Sequence, residues 1–263
     1  MAKVCPLFSG SSGNSYYIEA SGSGILVDAG RSAKQIENAM RANELDIKRV
    51  QAIFVTHEHS DHIKGLRVFA SRHHIPVYAS PGTLQALEGM GELAKVTYAP
   101  IAAAGMEVGE LFIRSFPTSH DSAESVGYQI ELPQERKITL ATDLGVLTQP
   151  VKECLQGSDL VILESNHDVG MLQNGIYPYP LKRRILSDTG HLSNHDCADY
   201  LPELIRQGTT RILLSHLSHE NNTPDLARQT SLCSLQVNGM QENVDYQLYV
   251  APRENQTGRS ILL

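Results

Sequence analysis

A cluster of histidine and aspartate at the end of an apolar run constrains the fold of this chain most strongly. Residues 52–55 are apolar, with β-branched and aromatic side chains typical of a buried strand, and a His-x-His-x-Asp-His motif follows at once. Alternate residues of an extended segment project to one side, so His57 and His59 can share a metal ion. Asp61 and His62 can face a second ion as the chain turns into a helix. The motif therefore predicts a metal site at a strand end rather than a loop of solvated side chains.

Three more candidate ligands each come after a predicted strand. His120 comes after Leu111–Ser115, Asp143 after Lys137–Ala141, and His216 after Arg211–Leu214. Taken alone, each histidine reads as an ordinary surface or core residue, and Asp143 reads as a turn residue. Their joint order favours ligands that meet at one edge of a sheet. Imidazole and carboxylate suit zinc, and also manganese or iron, so the sequence leaves the metal open.

The chain alternates short apolar runs with helical patterns. The predicted strands are Ser15–Glu19, Gly24–Val27, Ala52–Val55, Pro76–Tyr78, Leu111–Ser115, Val126–Glu131, Lys137–Ala141, Leu160–Leu163, Arg211–Leu214 and Tyr246–Val250. The predicted helices are Ala33–Ala42, Asp61–His73, Thr83–Leu87, Asp196–Arg206 and Pro224–Gln236. Strands occur both as hairpins and beside helices, which favours two mixed sheets with helices outside over one doubly wound parallel sheet. We expect one α/β domain over residues 1–263, with residues 9–15 as a hairpin loop.

Composition and charge limit the classes of protein to consider. An apolar share of 41% and a charged share of 19% are those of an ordinary globular protein. The net charge of −7 argues against binding nucleic acid over the whole surface, so any polyanion must be held locally. The four cysteines lack a CxxC pair, which argues against a thiolate zinc site and favours reduced core thiols. Without a signal-type or membrane-spanning apolar stretch, a cytoplasmic protein is expected, and its oligomeric state stays open.

The order of these ligands resembles that of the metallo-β-lactamase superfamily, whose fold is a four-layer αββα sandwich. Residues 10–15, 164–168, 190–194 and 215–222 more narrowly resemble the YycJ (WalJ, VicX) branch, which is linked to DNA exonuclease activity. The resemblance implies two divalent metal ions, the first held by His57, His59 and His120, the second by Asp61, His62 and His216, with Asp143 bridging both. Such a pair of ions lowers the pKa of a water molecule to near neutral and so supplies a hydroxide nucleophile. Asp61 then belongs to the catalytic group as well as to the metal site.

Two further segments bear on which bond is attacked. Glu164 at a strand end and His191 before a helix look like the paired acidic and histidine motifs of the tRNA 3′-processing and nuclease branches. In those branches the histidine helps the leaving oxygen and the acid orients the histidine, a role that suits a phosphodiester. Ser193 and Asn194 also resemble a helix N-cap, where amide groups can hold a phosphate. The alternative is that His191 is simply a turn residue beside that cap.

A basic segment with interleaved tyrosines, residues 177–184, lies just upstream. Its Lys182, Arg183 and Arg184 could contact nucleic acid and its tyrosines could stack on bases. A proline-stiffened surface loop with solvated charges explains the segment equally well. The sequence gives no role for the four motif neighbours Asn166, His167, His219 and Asn222.

These features favour a metal-dependent phosphodiesterase, specifically a 5′→3′ DNA exonuclease. One alternative is a small-molecule hydrolase of the same superfamily, such as a thioesterase, lactonase or β-lactamase, which the acidic pI mildly favours. A tRNA 3′-processing endonuclease is another, although no protruding Gly/Pro-rich arm is visible. A binding module with a vestigial metal site is disfavoured because no ligand position of the motif set is lost.

Overall fold

A computed structural model describes residues 2–263 of the chain. Its strands are β1 (Ala2–Phe8), β2 (Ser15–Ala20), β3 (Ser23–Val27), β4 (Val50–Phe54), β5 (Val77–Ala79), β6 (Tyr98–Pro100), β7 (Met106–Val108), β8 (Leu111–Pro117), β9 (Val126–Leu132), β10 (Arg136–Ala141), β11 (Leu160–Glu164), β12 (Arg211–Ser215), β13 (Gln247–Val250) and β14 (Ile261–Leu262). Its α-helices are α1 (Ala33–Ala42), α2 (Ser60–Ile63), α3 (Leu66–His73), α4 (Pro81–Gly89), α5 (Gln149–Leu155), α6 (Val169–Asn174), α7 (Tyr179–Ile185), α8 (Asn194–Arg206) and α9 (Pro224–Val237).

The strands of residues 2–263 form two sheets of seven strands each. The order of the first sheet is β14-β1-β2-β3-β4-β5-β6 and that of the second is β13-β12-β11-β10-β9-β8-β7. Both sheets are mixed, since β1 and β2 are antiparallel while β3 and β4 are parallel, and β7 and β8 are antiparallel while β10 and β11 are parallel. The predicted pair of mixed sheets with helices is confirmed.

The chain forms two compact units. Unit 1 comprises the residues up to Ser115, Ser122–Arg136 and Pro252–Leu263, and unit 2 comprises Phe116–Asp121 and Lys137–Ala251. The single domain expected over residues 1–263 stays a prediction, and Met1, at its start, lies outside the described residues. None of the helices in residues 2–263 combines the length and apolar composition needed to cross a bilayer.

Unit 1 has its own hydrophobic core around strands β1 to β5. Helix α1 begins with a capping box, in which Ser32 and Gln35 satisfy each other's backbone N–H groups. Its buried face includes Ile36 and Met40, which belong to this core. Strand β4 is almost wholly buried and ends immediately before the His-x-His-x-Asp-His motif, so a rigid element carries the motif.

Unit 2 has a second core around the parallel strands β10 to β13. Strand β11 is buried along its whole length, as expected for an inner strand of a parallel sheet. Helices α8 and α9 begin at Ser193 and Thr223, whose side chains accept the hydrogen bonds expected of N-caps. Because neighbouring parallel strands end at the same edge, the residues after β10, β11 and β12 lie close together.

The predicted elements are confirmed with three corrections. All ten predicted strands exist, and the predicted hairpin loop joins β1 to β2, but four strands and three helices were missed: β1, β6, β7, β14, α5, α6 and α7. The predicted helix Asp61–His73 is wrong as one element, because Gly65 separates α2 from α3 and donates its N–H to Ala29. A Cβ atom on Gly65 would lie 2.1 Å from the carbonyl oxygen of Arg31, so a distant contact fixes this break. The loop interpretation of residues 177–184 is also wrong, since most of them form α7.

Candidate metal centre and catalytic groups

The motif residues of unit 1 are clustered around the end of β4. The ring centroid of His57 lies 4.6 Å from that of His59 and 4.1 Å from that of His62. Both His57 and His62 are buried, whereas His59 and Asp61 are partly exposed. The alternation of the extended segment and the turn into α2 thus bring the four side chains together, as the spacing predicts.

A buried aspartate, Asp28, holds this cluster and was missed from the sequence. Its carboxylate accepts hydrogen bonds from the backbone N–H of Thr56 at 2.8 Å, from the Thr56 hydroxyl at 2.9 Å and from Nδ1 of His62 at 2.7 Å. Nδ1 of His57 lies 3.0 Å from the same threonine oxygen, which accepts a hydrogen bond from it because the Thr56 hydroxyl hydrogen is donated to Asp28. Burial raises the pKa of Asp28, against the opposing effects of His62 and Thr56. Its backbone is left-handed, with φ of 63°, a conformation that is uncommon for non-glycine residues and that aspartate adopts more readily than most.

Asn14, from the loop between β1 and β2, contacts the same cluster. Its Nδ2 atom lies 3.0 Å from Nε2 of His62 and 3.4 Å from a carboxylate oxygen of Asp61. The close approach depends on Gly30, whose N–H donates to the carbonyl oxygen of Asn14. A Cβ atom on Gly30 would lie 1.7 Å from the carbonyl oxygen of Asp61, so only glycine fits there.

Residues at the ends of three parallel strands of unit 2, together with His191 from the loop before α8, form a second cluster. Asp143, Glu164, His191 and His216 each offer one ligand atom, and these atoms lie within 4.8 Å of one another. Asp143 and His216 both have left-handed backbones, with φ of 57° and 55°. Such conformations cost free energy and are retained where the surrounding structure fixes a functional side chain.

Glu164 is the centre of this cluster. Its Oε1 atom lies 2.8 Å from Nδ1 of His191 and 2.7 Å from Nδ1 of His216. Its Oε2 atom accepts the backbone N–H groups of Leu144 at 2.9 Å and Leu192 at 3.3 Å. Both oxygens are therefore engaged within the protein, so we assign Glu164 an orienting role rather than a role as a metal ligand.

The charges in this cluster stabilise one another. Burial alone would raise the pKa of Glu164, but the charge of His191 and the hydrogen bonds from His191 and His216 outweigh burial and hold it at about 2. Burial alone would lower the pKa of His191, but Glu164 and Asp143 outweigh it and raise that pKa. The Glu164 carboxylate therefore stays ionised and favours a protonated His191.

The hydrogen bonds at Nδ1 fit a metal site. Nδ1 of His120 donates to the carbonyl oxygen of Gly190 at 3.1 Å, and Nδ1 of His216 donates to Glu164. In unit 1, Nδ1 of His62 and of His57 are held by Asp28 and Thr56. Each contact sets the tautomer whose Nε2 carries the lone pair, which is the arrangement that metal-binding histidines need. The donor set of imidazole and carboxylate suits a borderline divalent cation.

Buried amides of the remaining motifs tie the loops of unit 2 together. Asn222 donates to the carbonyl oxygens of Ser165 and Asn166 and exchanges hydrogen bonds with Asn194. Asn166 donates to the carbonyl oxygen of His216 at 2.9 Å. The structure thus gives Asn166 and Asn222 the role that the sequence left open: they fix the loop that carries His216. His219 is exposed and pairs with its neighbour Glu220.

The predicted substrate-binding residues already have contacts within the protein, with Arg183 as the exception. Ser193 caps α8 by accepting from the N–H of Asp196, and the buried side chain of Asn194 belongs to the amide network. Lys182 donates to two carbonyl oxygens of the preceding turn, and Arg184 forms an ion pair with Asp121. Arg183 is exposed. Substrate binding by these five residues stays a prediction.

Comparison with known proteins agrees with this geometry. The sequence profile of the Beta-lactamase superfamily domain matches residues 24–217. The chain belongs to the metallo-β-lactamase superfamily. Exodeoxyribonuclease YycJ of Bacillus anthracis is 42% identical over 85% of this chain and 85% of its own length. Exodeoxyribonuclease WalJ of Streptococcus pneumoniae is 38% identical over 94% of this chain and 93% of its own length, which supports the predicted YycJ branch.

Solved structures confirm the metallo-β-lactamase fold. Zn²⁺-bound PqqB from Methylobacterium extorquens has a TM-score of 0.72 against this chain, covers 100% of both chains and shares 17% sequence identity. The expected α/β class with two mixed sheets is therefore confirmed. For a metallo-β-lactamase superfamily member, the clustered His and Asp side chains imply bound divalent metal ions.

Proposed function

We propose that this protein is a metal-dependent phosphodiesterase and that it degrades DNA exonucleolytically in the 5′→3′ direction. The observation that carries the proposal is the hydrogen bond between His191 and Glu164, beside Asp143. Nδ1 of His191 lies 2.8 Å from Glu164 and 3.7 Å from Asp143. A thioester hydrolase has less need of such an imidazole, because a thiolate can leave without a proton, whereas the alkoxide that departs from a phosphodiester needs a proton donor.

We further propose two metal ions, zinc or manganese with iron as a third candidate. As the superfamily resemblance implies, His57, His59 and His120 would hold the first ion, Asp61, His62 and His216 would hold the second, and Asp143 would serve both. Together the ions would supply a nucleophile at neutral pH and neutralise charge on the phosphate oxygens.

His191 acts on the leaving side of the scissile bond in this proposal. Its Nδ1 proton is committed to Glu164, so Nε2 is the atom that faces substrate and donates a proton to the departing oxygen. The side chain of His191 is 18% exposed, which allows contact with a substrate, whereas Glu164 is fully buried and acts only through the histidine. Glu164 is therefore a positioning residue.

The choice of DNA is supported by the two relatives named exodeoxyribonucleases, which match most of this chain. A DNA substrate also accords with the cytoplasmic location expected from the sequence. The net charge of −7 means that DNA must be held by a local surface rather than by a general positive field.

A panel of substrates tests the proposal. The protein, loaded with Mn²⁺ or Zn²⁺, is incubated with end-labelled duplex DNA, single-stranded DNA, precursor tRNA, an acyl thioester and a lactam. We expect progressive release of nucleotides from 5′ ends, and a 5′-terminal phosphorothioate linkage should block it. Turnover of the acyl substrates alone would contradict the proposal, and cleavage of precursor tRNA alone would favour the tRNA-processing alternative.

The role of His191 has its own test. His191→Ala should lower DNA turnover by about 10²- to 10⁴-fold, the usual contribution of general acid catalysis, while the bound metal content is unchanged. His195→Ala is the matched control, because His195 lies in the first turn of α8 and its side chain is 75% exposed. Loss of metal in His191→Ala would show that His191 is a ligand rather than an acid.

A further inference from the structure

A short surface of unit 2 combines exposed apolar side chains with a cation. We call it the α7 surface and define it by Ile176, Tyr179 and Arg183. Ile176 is 86% exposed and Tyr179 is 72% exposed, and Arg183 lies one helical turn after Tyr179. Residues 169–187 contain no aspartate or glutamate, although the chain as a whole is acidic. Exposed apolar side chains that lie next to one another, unlike isolated ones, commonly mark a binding surface.

The other two cationic side chains of α7, Lys182 and Arg184, stabilise the position of the helix. Lys182 donates Nζ to the carbonyl oxygens of Gln173 at 2.9 Å and Gly175 at 2.7 Å, which closes the turn before the helix. Arg184 forms an ion pair with Asp121 through two nitrogens. These contacts hold α7 in place, and Arg183 remains as the cation that faces outward.

The α7 surface has a fixed position relative to His191. The backbone N–H of His191 donates to the carbonyl oxygen of Ile185, at the end of α7, at 3.0 Å. A Cβ atom on Gly190 would lie 2.3 Å from the carbonyl oxygen of Ile185, so the loop before His191 packs directly on the helix. The end of α7 is therefore fixed against the segment that carries His191.

We propose that the α7 surface binds the unpaired bases of a DNA strand, with a base stacked on Tyr179, Ile176 packed beside it and Arg183 on a neighbouring phosphate. This inference rests on the proposed nuclease function and deepens it by naming the binding surface. Aromatic stacking with an adjacent cation is how proteins hold single strands without reading sequence. The absence of acidic residues from 169–187 makes the surface electrostatically complementary to a polyanion rather than to a cationic partner.

Three alanine variants of the holoenzyme test the surface: Ile176→Ala, Tyr179→Ala and Arg183→Ala. The readout is kcat/KM on a single-stranded oligonucleotide divided by kcat/KM on bis(p-nitrophenyl) phosphate, which is too small to reach α7. Tyr179→Ala should lower this ratio about fivefold or more, because stacking contributes about 1–3 kcal/mol per base. Arg183→Ala should reduce the slope of log KM against log salt concentration by about 0.7.

Matched controls separate the surface from general effects. Val237→Ala removes an equally exposed apolar side chain at the end of α9, and Arg67→Ala removes a half-exposed cation on α3. Neither should change the ratio. An unchanged ratio in Tyr179→Ala overturns the proposal, and so does a change of oligomeric state in the variants with no change in DNA kinetics, which would assign the surface to a second copy of the chain.

Binding measured without cleavage distinguishes this proposal from the proposed function. A fluorescein-labelled phosphorothioate oligonucleotide is titrated with the protein and followed by fluorescence anisotropy. If the wild type binds this probe, Tyr179→Ala binds it several-fold more weakly, and neither protein cleaves unmodified DNA in a separate assay, the surface stands and the nuclease assignment is wrong. If DNA is cleaved and both proteins bind equally, the nuclease assignment stands and the surface falls.

Discussion

The Oε1 atom of Glu164 lies 2.8 Å from Nδ1 of His191. The same oxygen lies 2.7 Å from Nδ1 of His216, so one carboxylate orients both the proposed general acid and a proposed metal ligand. The resemblance of these two segments to the nuclease branches implied only the first contact. The second means that a change at Glu164 must disturb metal binding as well as proton transfer.

Glu164→Gln should therefore lower both metal affinity and DNA turnover. A glutamine has one acceptor oxygen and one donor group, so it cannot accept from two imidazoles and two backbone N–H groups. Losing such an orienting contact typically lowers metal affinity about 10- to 100-fold. Competition with a chromophoric chelator measures the affinity. Unchanged metal affinity in Glu164→Gln would contradict the shared role, whereas His191→Ala should lower turnover alone.

Asp28→Ala should destabilise the metal-free protein. The substitution leaves the Thr56 N–H, its hydroxyl and Nδ1 of His62 without their buried acceptor. One such unsatisfied group costs about 1–3 kcal/mol, so the free energy of unfolding in urea should fall by at least that amount. Asp46→Ala is the control, because Asp46 is exposed and caps only a short 3₁₀ turn. Equal losses in the two variants would contradict a special role for Asp28.

The proposed metal ligands were accessible from the sequence because each follows a readable strand. Residues 52–55, before His57, are apolar and bounded by turn signals, so local pattern alone places the ligand at a strand end. Asp28 also follows a strand, but its local sequence reads only as a turn. Its importance depends on the parallel pairing of β3 with β4, in which Val27 lies opposite Phe54. That pairing is nonlocal and no short pattern contains it.

Helix α7 was missed from the sequence because of its prolines. Pro178 and Pro180 read as loop residues, yet Pro178 is the N-cap and Pro180 lies in the first turn, where a missing N–H costs nothing. The break between α2 and α3 was missed from the sequence for a different reason. Lys64 and Gly65 continue a helical pattern, but the Gly65 N–H donates to the carbonyl oxygen of Ala29 rather than to the helical acceptor four residues earlier. Only the second case therefore needs a tertiary contact to override local propensity.

His167 should make stability depend on pH. Its ring is buried, and burial lowers its pKa from 6.5 to about 4. The unfolded chain therefore binds this proton more tightly than the folded protein does. The stabilisation by the neutral His167 ring is complete above pH 6.5 and is lost as the pH falls through 4. The pKa falls from 6.5 to about 4, and each pKa unit corresponds to about 1.4 kcal/mol. The free energy of unfolding should therefore fall by about 3 kcal/mol.

Urea unfolding of the metal-free protein at neutral and acidic pH measures this effect. His167→Leu should lose less stability than the wild type over the same interval, because it has no proton to take up. His195→Leu, at an exposed position, should behave as the wild type does. Parallel losses in the wild type and His167→Leu would show that His167 does not titrate as its burial implies.

Gly30 is not a proposed metal ligand, but Gly30→Ala should weaken metal binding. The new Cβ atom would lie 1.7 Å from the carbonyl oxygen of Asp61 and 2.5 Å from the backbone N of Asn14, so the backbone that carries Asp61 must move. Overpacking of this kind costs about 1–3 kcal/mol or more. Gly89→Ala is the control, because a Cβ atom there meets nothing within 4 Å.

The two glycine variants are compared by chelator competition and by thermal unfolding in the metal-free and metal-loaded states. For Gly30→Ala we expect weaker metal binding and a smaller rise in Tm on metal addition, since the stabilisation by a ligand depends on its affinity for the folded state. Gly89→Ala should keep the wild-type rise. A Gly30→Ala protein that is destabilised without metal yet gains the full rise would show that Gly30 supports the fold but does not position Asp61.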